Sequence, residues 1–276
     1  MHYETIAIWD HFQGNIHGKA TLEAYIPEHS PEISFIKNKK AVLVCPGGGY
    51  YFVSKREGEA VALAFAAQGF NAFVLTYEVA PAVRHPQPIL EVSRAVCLIR
   101  ENAEKWHTDP DKISVCGFSA GGHLAASLGV FWKGAYIRER LGIPEGLNKP
   151  NSLILCYPVI TSRIGLAHRG SFYNLLGEGR EESVYETMSL ENFVSGDTPP
   201  AFLWHTFDDG AVPVENSLLF AQGLKKADIP FELHVFPQGA HGLSLCDERT
   251  STGPEHLNPH AAQWFELCVA WLKKFA

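Results

Sequence analysis

The chain has no long apolar run, no excess of positive charge and no regularly spaced cysteines, and each absence removes a class of function. Its longest strictly apolar run covers residues 60–67, far short of the roughly 20 residues that cross a bilayer. Basic residues number 23 against 30 acidic, a net charge of −7; a protein that tracks nucleic-acid phosphates carries the opposite field. The opening residues, MHYETIAIWDHFQGNIHG, lack a basic lead followed by an apolar stretch, so they do not read as a secretory leader. Cys45, Cys97, Cys116, Cys156, Cys246 and Cys268 form no C-x-x-C pair and no metal-ligand spacing, which predicts reduced, buried thiols in a cytoplasmic protein. His256 and His260 are four apart, but Pro259 disfavours a shared helix and no H-E-x-x-H occurs. No metal and no other cofactor is expected.

What remains is an ordinary globular mixture, 46% hydrophobic and 19% charged over 276 residues, long enough to hold a core without staples. Strand-like segments fall at residues 5–8, 20–26, 41–45, 72–77, 113–118, 152–158, 201–206 and 231–236. Runs such as AVLVC, AFVLT and SLILCY show no polar alternation, as strands covered on both faces require. Helix-like segments lie between them at 58–67, 88–106, 120–131, 214–226 and 259–275. In the second of these Ile89, Val92, Val96 and Ile99 make one apolar stripe. Strand–helix repetition predicts an α/β fold, a mostly parallel sheet with helices on both faces, edged by an antiparallel pair because no helix separates the first two strands. Residues 133–150 and 161–199 break the rhythm. The second is too long for an ordinary connection, and we read it as a small cap over the carboxyl edge of the sheet within a single domain, where such folds hold ligands.

The sharpest local feature is Gly117-Phe118-Ser119-Ala120-Gly121. As a bare G-x-S-x-G string it carries little in a chain with 24 glycines. Its position between a buried strand and a small-residue helix gives it mechanical sense, because a serine on a tight strand-to-helix turn exposes its hydroxyl. Ahead of it, Cys45-Pro46-Gly47-Gly48-Gly49-Tyr50 follows another strand, and its glycines leave backbone N–H groups open to a substrate oxygen. Tetrahedral intermediates of acyl transfer need such donors, and the amide of Ala120 supplies another. The competing readings are a plain turn or a phosphate loop, and no Gly-Lys-Ser/Thr follows to support the latter.

A serine nucleophile needs a base and a carboxylate to orient that base. Downstream, AFLWHT ends in Phe207-Asp208-Asp209-Gly210-Ala211-Val212-Pro213. Asp209 is preferred by its D-x-x-V-P frame, with Asp208 left to bond nearby backbone amides. After FELHVF, His241 stands on a glycine-flanked loop. His234 reads as a strand residue, His205 as a shaper of the acid's loop and His123 as structural.

With these pieces in place, the chain resembles the α/β-hydrolase esterases, in the lipase and acetylxylan-esterase-like group whose members are often called sugar hydrolases. The resemblance is carried by CPGGGYYFVS, GFSAGGHLAASLG and FLWHTFDDGAVPVENSLLFAQGLKKADIPFELHVFPQGAHGL, and runs from about residue 20 to the end. It implies Ser119 as nucleophile, Asp209 as acid, His241 as base, and Gly48, Gly49 and Ala120 as oxyanion donors. One departure is Pro46, where related esterases begin the glycine loop with histidine. The implied activity is hydrolysis of small-molecule esters with short acyl groups, such as acetyl esters of sugars, with Trp132, Tyr136, Phe172, Tyr173 and Trp204 either stacking faces or core. A peptidase or amidase on the same scaffold, or a binding module without turnover, are the rivals. Related enzymes often form homodimers, though no stretch here identifies a contact face.

Overall fold

In the computed structural model, residues 1–10, 12–30, 32 and 37–275 are described. The elements run β1 (His2–Ala7), β2 (Thr21–Ile26), β3 (Lys39–Cys45), α1 (Glu59–Ala67), β4 (Asn71–Thr76), α2 (Gln87–Glu101), β5 (Thr108–Phe118) and α3 (Ala120–Phe131). They continue with α4 (Ala135–Leu141), β6 (Ser152–Cys156), α5 (Arg169–Leu176), α6 (Glu182–Glu186), β7 (Ala201–Thr206), α7 (Glu215–Lys226), β8 (Phe231–Phe236) and α8 (Gln263–Phe275). The strands form one sheet in the order β1-β2-β4-β3-β5-β6-β7-β8. β1 and β2 pair antiparallel, as do β2 and β4, and the rest of the sheet is parallel.

Successive strand residues point to opposite faces, and here both faces are apolar. Leu43, Val115, Leu153 and Leu203 pack against α2, α3, α4 and α7 on one side. Val42, Val44, Cys116, Ile154, Phe202 and Trp204 meet α1 and α8 on the other. Burial on two sides is why β6 and β7 contain no exposed position. All six cysteines are free and buried. Among the described residues no helix is long and apolar enough to cross a membrane.

Several boundaries differ from the sequence reading for local reasons. α2 stops at Glu101, where Asn102 turns its side-chain amide back onto the Leu98 carbonyl at 2.8 Å. β5 begins at Thr108, five residues early, through pairing with Lys39 across a register irregularity. β6 ends at Cys156 because Tyr157 takes a positive φ of 36°. α8 starts at Gln263, after Asn258 has accepted a hydrogen bond from the Ala261 amide at 3.0 Å. The two stretches that broke the rhythm hold α4, α5 and α6. The start of residues 161–199 is tied to α7 by Asn216, whose Oδ1 accepts from the amides of Ile160 and Thr161 and whose Nδ2 donates to the carbonyls of Leu166 and, within its own turn, Pro213.

Under the sheet edge, α2 buries Glu91 completely. Its carboxyl accepts from the Glu78 amide at 2.7 Å and from Gln87 Nε2 at 2.9 Å. Burial, aided by the neighbouring Glu78 charge and opposed by those two bonds, raises its pKa well above the carboxylate range. A carboxyl whose pKa is raised on folding stabilises the fold fully below its unfolded pKa, and that stability is lost as pH rises through the folded value. We expect urea midpoints of the protein to fall from mildly acidic to alkaline pH, and Glu91→Gln to fall less over the same interval. Parallel slopes for the two proteins would exclude Glu91 as the source.

Candidate active site

The parallel strands β3, β5, β6, β7 and β8 all end at one edge of the sheet, and the residues singled out by motif lie on the loops that leave it. At the end of β5, Ser119 is held at φ 52° and ψ −118°. Such a conformation costs a non-glycine residue about 1–3 kcal/mol and persists only where the surroundings impose it. Its amide donates to the Cys156 carbonyl at 3.0 Å, and its carbonyl accepts from the amides of Val159 at 3.0 Å and His123 at 3.1 Å. The flanking glycines are set by close approach. A Cβ on Gly117 would lie 2.1 Å from the Gly121 carbonyl oxygen, and one on Gly121 2.1 Å from that of Cys45.

Asp209, after β7, is buried. Its Oδ1 accepts from the amides of Ala211 and Val212, each at 2.9 Å. Its Oδ2 lies 2.7 Å from His241 Nδ1 and 3.3 Å from His205 Nε2. Burial alone would raise the carboxyl's pKa, but the bonds from His205, His241 and the Val212 amide outweigh it and hold the group well below the carboxylate range. An ionised carboxylate only accepts, so His241 Nδ1 carries the proton. Nε2 of the same ring is then the acceptor, 2.8 Å from Ser119 Oγ. A hydroxyl so placed can lose its proton to the imidazole as it attacks a carbonyl carbon.

The glycine loop divides its amides. That of Gly47 is taken up by Glu57 Oε2 at 2.8 Å. No described residue accepts from the amides of Gly48, Gly49 or Ala120, and Ala120 opens α3, whose dipole favours negative charge at that end. The anchoring that Pro46 cannot provide through a side chain comes from elsewhere: its carbonyl accepts from Tyr77 Oη at 2.7 Å.

Among the neighbours, Asp208 is exposed and reaches across to the His241 loop, accepting from the Gly239 amide at 2.7 Å. His205 is buried and donates to the Val212 carbonyl at 2.9 Å, bracing the loop of Asp209. His123 is buried between Tyr50 Oη at 2.9 Å and the Met188 carbonyl at 3.1 Å, and burial lowers its pKa to about 4. His234 pairs with Glu232 on β8. Of the five aromatics considered as stacking faces, Trp132, Phe172 and Trp204 are buried. Trp204 lies against Trp264 with ring centroids 5.2 Å apart; these three are core and offer no face to a ligand.

Two residues at the site escaped the sequence reading. Glu57 is buried beneath the glycine loop, and its Oε1 accepts from Tyr157 Oη at 2.7 Å. Tyr157 Oη in turn accepts from the Ser244 amide at 2.8 Å, and its ring meets that of His241 edge-on at 5.1 Å. One carboxylate and one phenol therefore join the loop of Gly47 to the loop of His241. A charged residue inside REGE, just past the glycines, was the available signal.

Three outcomes follow for turnover of an activated ester. Asp209→Asn should lower kcat by about 10⁴-fold, the usual loss when the imidazole's orienting carboxylate is neutralised. Asp208→Asn keeps an acceptor for Gly239 and should stay within about ten-fold; the reverse ranking would reassign the acid. Glu57→Gln must set an amide against either Gly47 N–H or Tyr157 O–H. It should cost roughly 10–100-fold in kcat/KM, the scale of a small misplacement of reacting groups, with unchanged circular dichroism; an unaffected kcat/KM would remove Glu57 from any positioning role.

Comparison with known proteins agrees with this architecture. The BD-FAE family model matches residues 24–145 and the prolyl oligopeptidase family model residues 168–269. The chain is 41% identical over 221 residues to endo-1,4-beta-xylanase B of Butyrivibrio fibrisolvens, covering 78% of this chain and 34% of that protein; it thus spans about a third of that relative's length. A solved acetyl ester-xyloside bifunctional hydrolase from Caldicellulosiruptor lactoaceticus superposes with a TM-score of 0.83 at 39% identity, covering 98% of this chain and 95% of the other. MGS-M1, an α/β hydrolase from a Medee basin deep-sea metagenome library, gives 0.79 at 35% identity, over 99% and 97% of the two chains. At such identity over nearly the whole of both chains, the protein belongs to the α/β-hydrolase family.

Proposed function

We propose that the chain is a serine esterase that removes short acyl groups, acetyl foremost, from sugars or oligosaccharides. The observation that carries the reading is the unbroken line from Asp209 through His241 to Ser119, at 2.7 and 2.8 Å, ending beside three amides that no described residue occupies. In this reading His241 takes the Ser119 proton as Oγ attacks the ester carbonyl, and the amides of Gly48, Gly49 and Ala120 bind the resulting oxyanion. The alcohol leaves with the proton from His241. Water then repeats the sequence in reverse and frees the acid. Asp209 stays ionised throughout and stabilises the imidazolium.

The substrate class is supported by the names of the relatives, a xylanase and an acetyl ester-xyloside hydrolase. A membrane-surface lipase would present an apolar lid. Residues 161–199 instead display ion pairs, Arg169 with Glu182 at 2.6 Å and Arg163 with Glu191 at 3.2 Å. Six buried thiols without a disulfide suit a reducing, cytoplasmic setting. One observation favours a second reading, a peptidase or amidase: the prolyl oligopeptidase match over residues 168–269.

A single panel separates these readings. Turnover should be greatest on p-nitrophenyl acetate and decline with acyl length, acetylated xylo-oligosaccharides should be deacetylated, and p-nitroanilides should be left intact. Ser119→Ala should abolish ester turnover by about 10⁴-fold or more and prevent labelling by a fluorophosphonate. Ester turnover unchanged in that variant would end the assignment, and faster cleavage of anilides than of acetates would favour the amidase.

A further inference from the structure

Helix α5 stands directly over the glycine loop. Asn174 donates from Nδ2 to the Gly49 carbonyl at 2.8 Å. Ser171, one turn earlier, and His168, which caps the helix, border the space above the Gly49 α-carbon. A Cβ built there would lie 3.9 Å from both His168 Cε1 and Ser171 Oγ and within 4 Å of nothing else. His168 Nδ1 is paired with Ser171 Oγ at 2.8 Å, so the ring is fixed by its Nδ1–Cε1 edge. Its Nε2 is bonded to no described residue. Burial lowers the pKa of this imidazole, the nearby His241 lowers it further, and Asp209 raises it. The ring therefore favours its neutral form more than a free imidazole does, while lying in the field of both Asp209 and His241.

An acetyl group has one polar atom, the carbonyl oxygen, and the open amides of Gly48, Gly49 and Ala120 already answer it. An imidazole nitrogen without a described partner, on a residue that borders Gly49, has nothing to bind in a methyl group. The alcohol half of a sugar ester, by contrast, carries hydroxyls next to the scissile oxygen. We propose that His168 is the specificity-determining residue for that half, its Nε2 hydrogen-bonding a hydroxyl of the sugar that bears the acetyl group. The inference rests on the sugar-ester reading above. His168 caps the start of α5, the helix whose Asn174 holds the Gly49 carbonyl, so the same helix would fix the oxyanion loop and the residue that reads the alcohol.

The test compares two esters with the same acyl group, p-nitrophenyl acetate, whose alcohol has no aliphatic hydroxyl, and an acetylated methyl xyloside. The readout is the ratio of kcat/KM for the xyloside to kcat/KM for the nitrophenyl ester. His168→Ala should lower this ratio roughly ten-fold, the scale of one lost hydrogen bond to a desolvated partner. His168→Gln, which keeps a polar nitrogen, should recover part of it. A role confined to supporting the glycine loop would lower both rates together and leave the ratio unchanged, which would overturn the proposal. A wild-type protein that cleaves the nitrophenyl ester but not the acetylated xyloside would overturn the substrate reading itself, and the role of His168 with it.

Discussion

The forced left-handed turn at Ser119 is the constraint on which the rest of the site depends. A non-glycine residue at a positive φ relaxes unless its neighbours forbid it. Here the prohibition comes from both sides. The sheet holds the Ser119 amide through Cys156, and the loop after β6 holds its carbonyl through Val159. The glycines at 117 and 121 matter because they let strand, helix and glycine loop come within touching distance of this turn. The hydroxyl is then aimed by backbone geometry before any substrate arrives, which is what preorganisation means in free-energy terms.

Around that fixed point the other loops are braced against one another as well as against the sheet. Glu57 and Tyr157 join the glycine loop to the loop of His241. Arg56, the residue before Glu57, adds bonds to the carbonyls of Gly242 and Thr250. Asp208 fastens Gly239 from the opposite side. The imidazole therefore sits on a loop tied at three points, though its glycines alone would leave it free to wander. Burying a carboxyl group such as that of Glu57 is costly unless its oxygens find donors; here they are the Gly47 amide and the phenol of Tyr157, which in turn holds the Ser244 amide of the His241 loop.

The sequence made the sheet and the strand-to-helix turn legible because both depend on short-range chemistry. Uninterrupted apolar runs mark doubly covered strands, and a serine between glycines at a strand end marks the turn. Asp209 and His241 were legible as candidates for a different reason: each follows a strand, and parallel strands deliver their ends to one edge. Glu57 and Tyr157 were not, because a carboxylate and a phenol 100 residues apart declare no relation until the chain folds. Trp132, Phe172 and Trp204 illustrate the opposite difficulty, since composition cannot tell an aromatic that stacks on a ligand from one that fills a core. Helices α5 and α6 lay within a stretch legible only as an interruption, being short and held by tertiary contacts such as that of Asn174 with Gly49 rather than by a long amphipathic pattern.

The buried cysteines have a practical corollary. Burial drives the thiols of Cys45, Cys156 and Cys268 far above their ordinary pKa, and those of Cys97 and Cys246 to about 12. The thiolate is the form that meets alkylating reagents and oxidants, and at these five positions it is scarce and shielded. A single cysteine engineered onto an open position such as Ile164, which is 80% exposed, would therefore react far faster than these native thiols. With Cys116 also buried, the natural sequence would accept a fluorophore or spin label at residue 164 without first being stripped of its own sulfur.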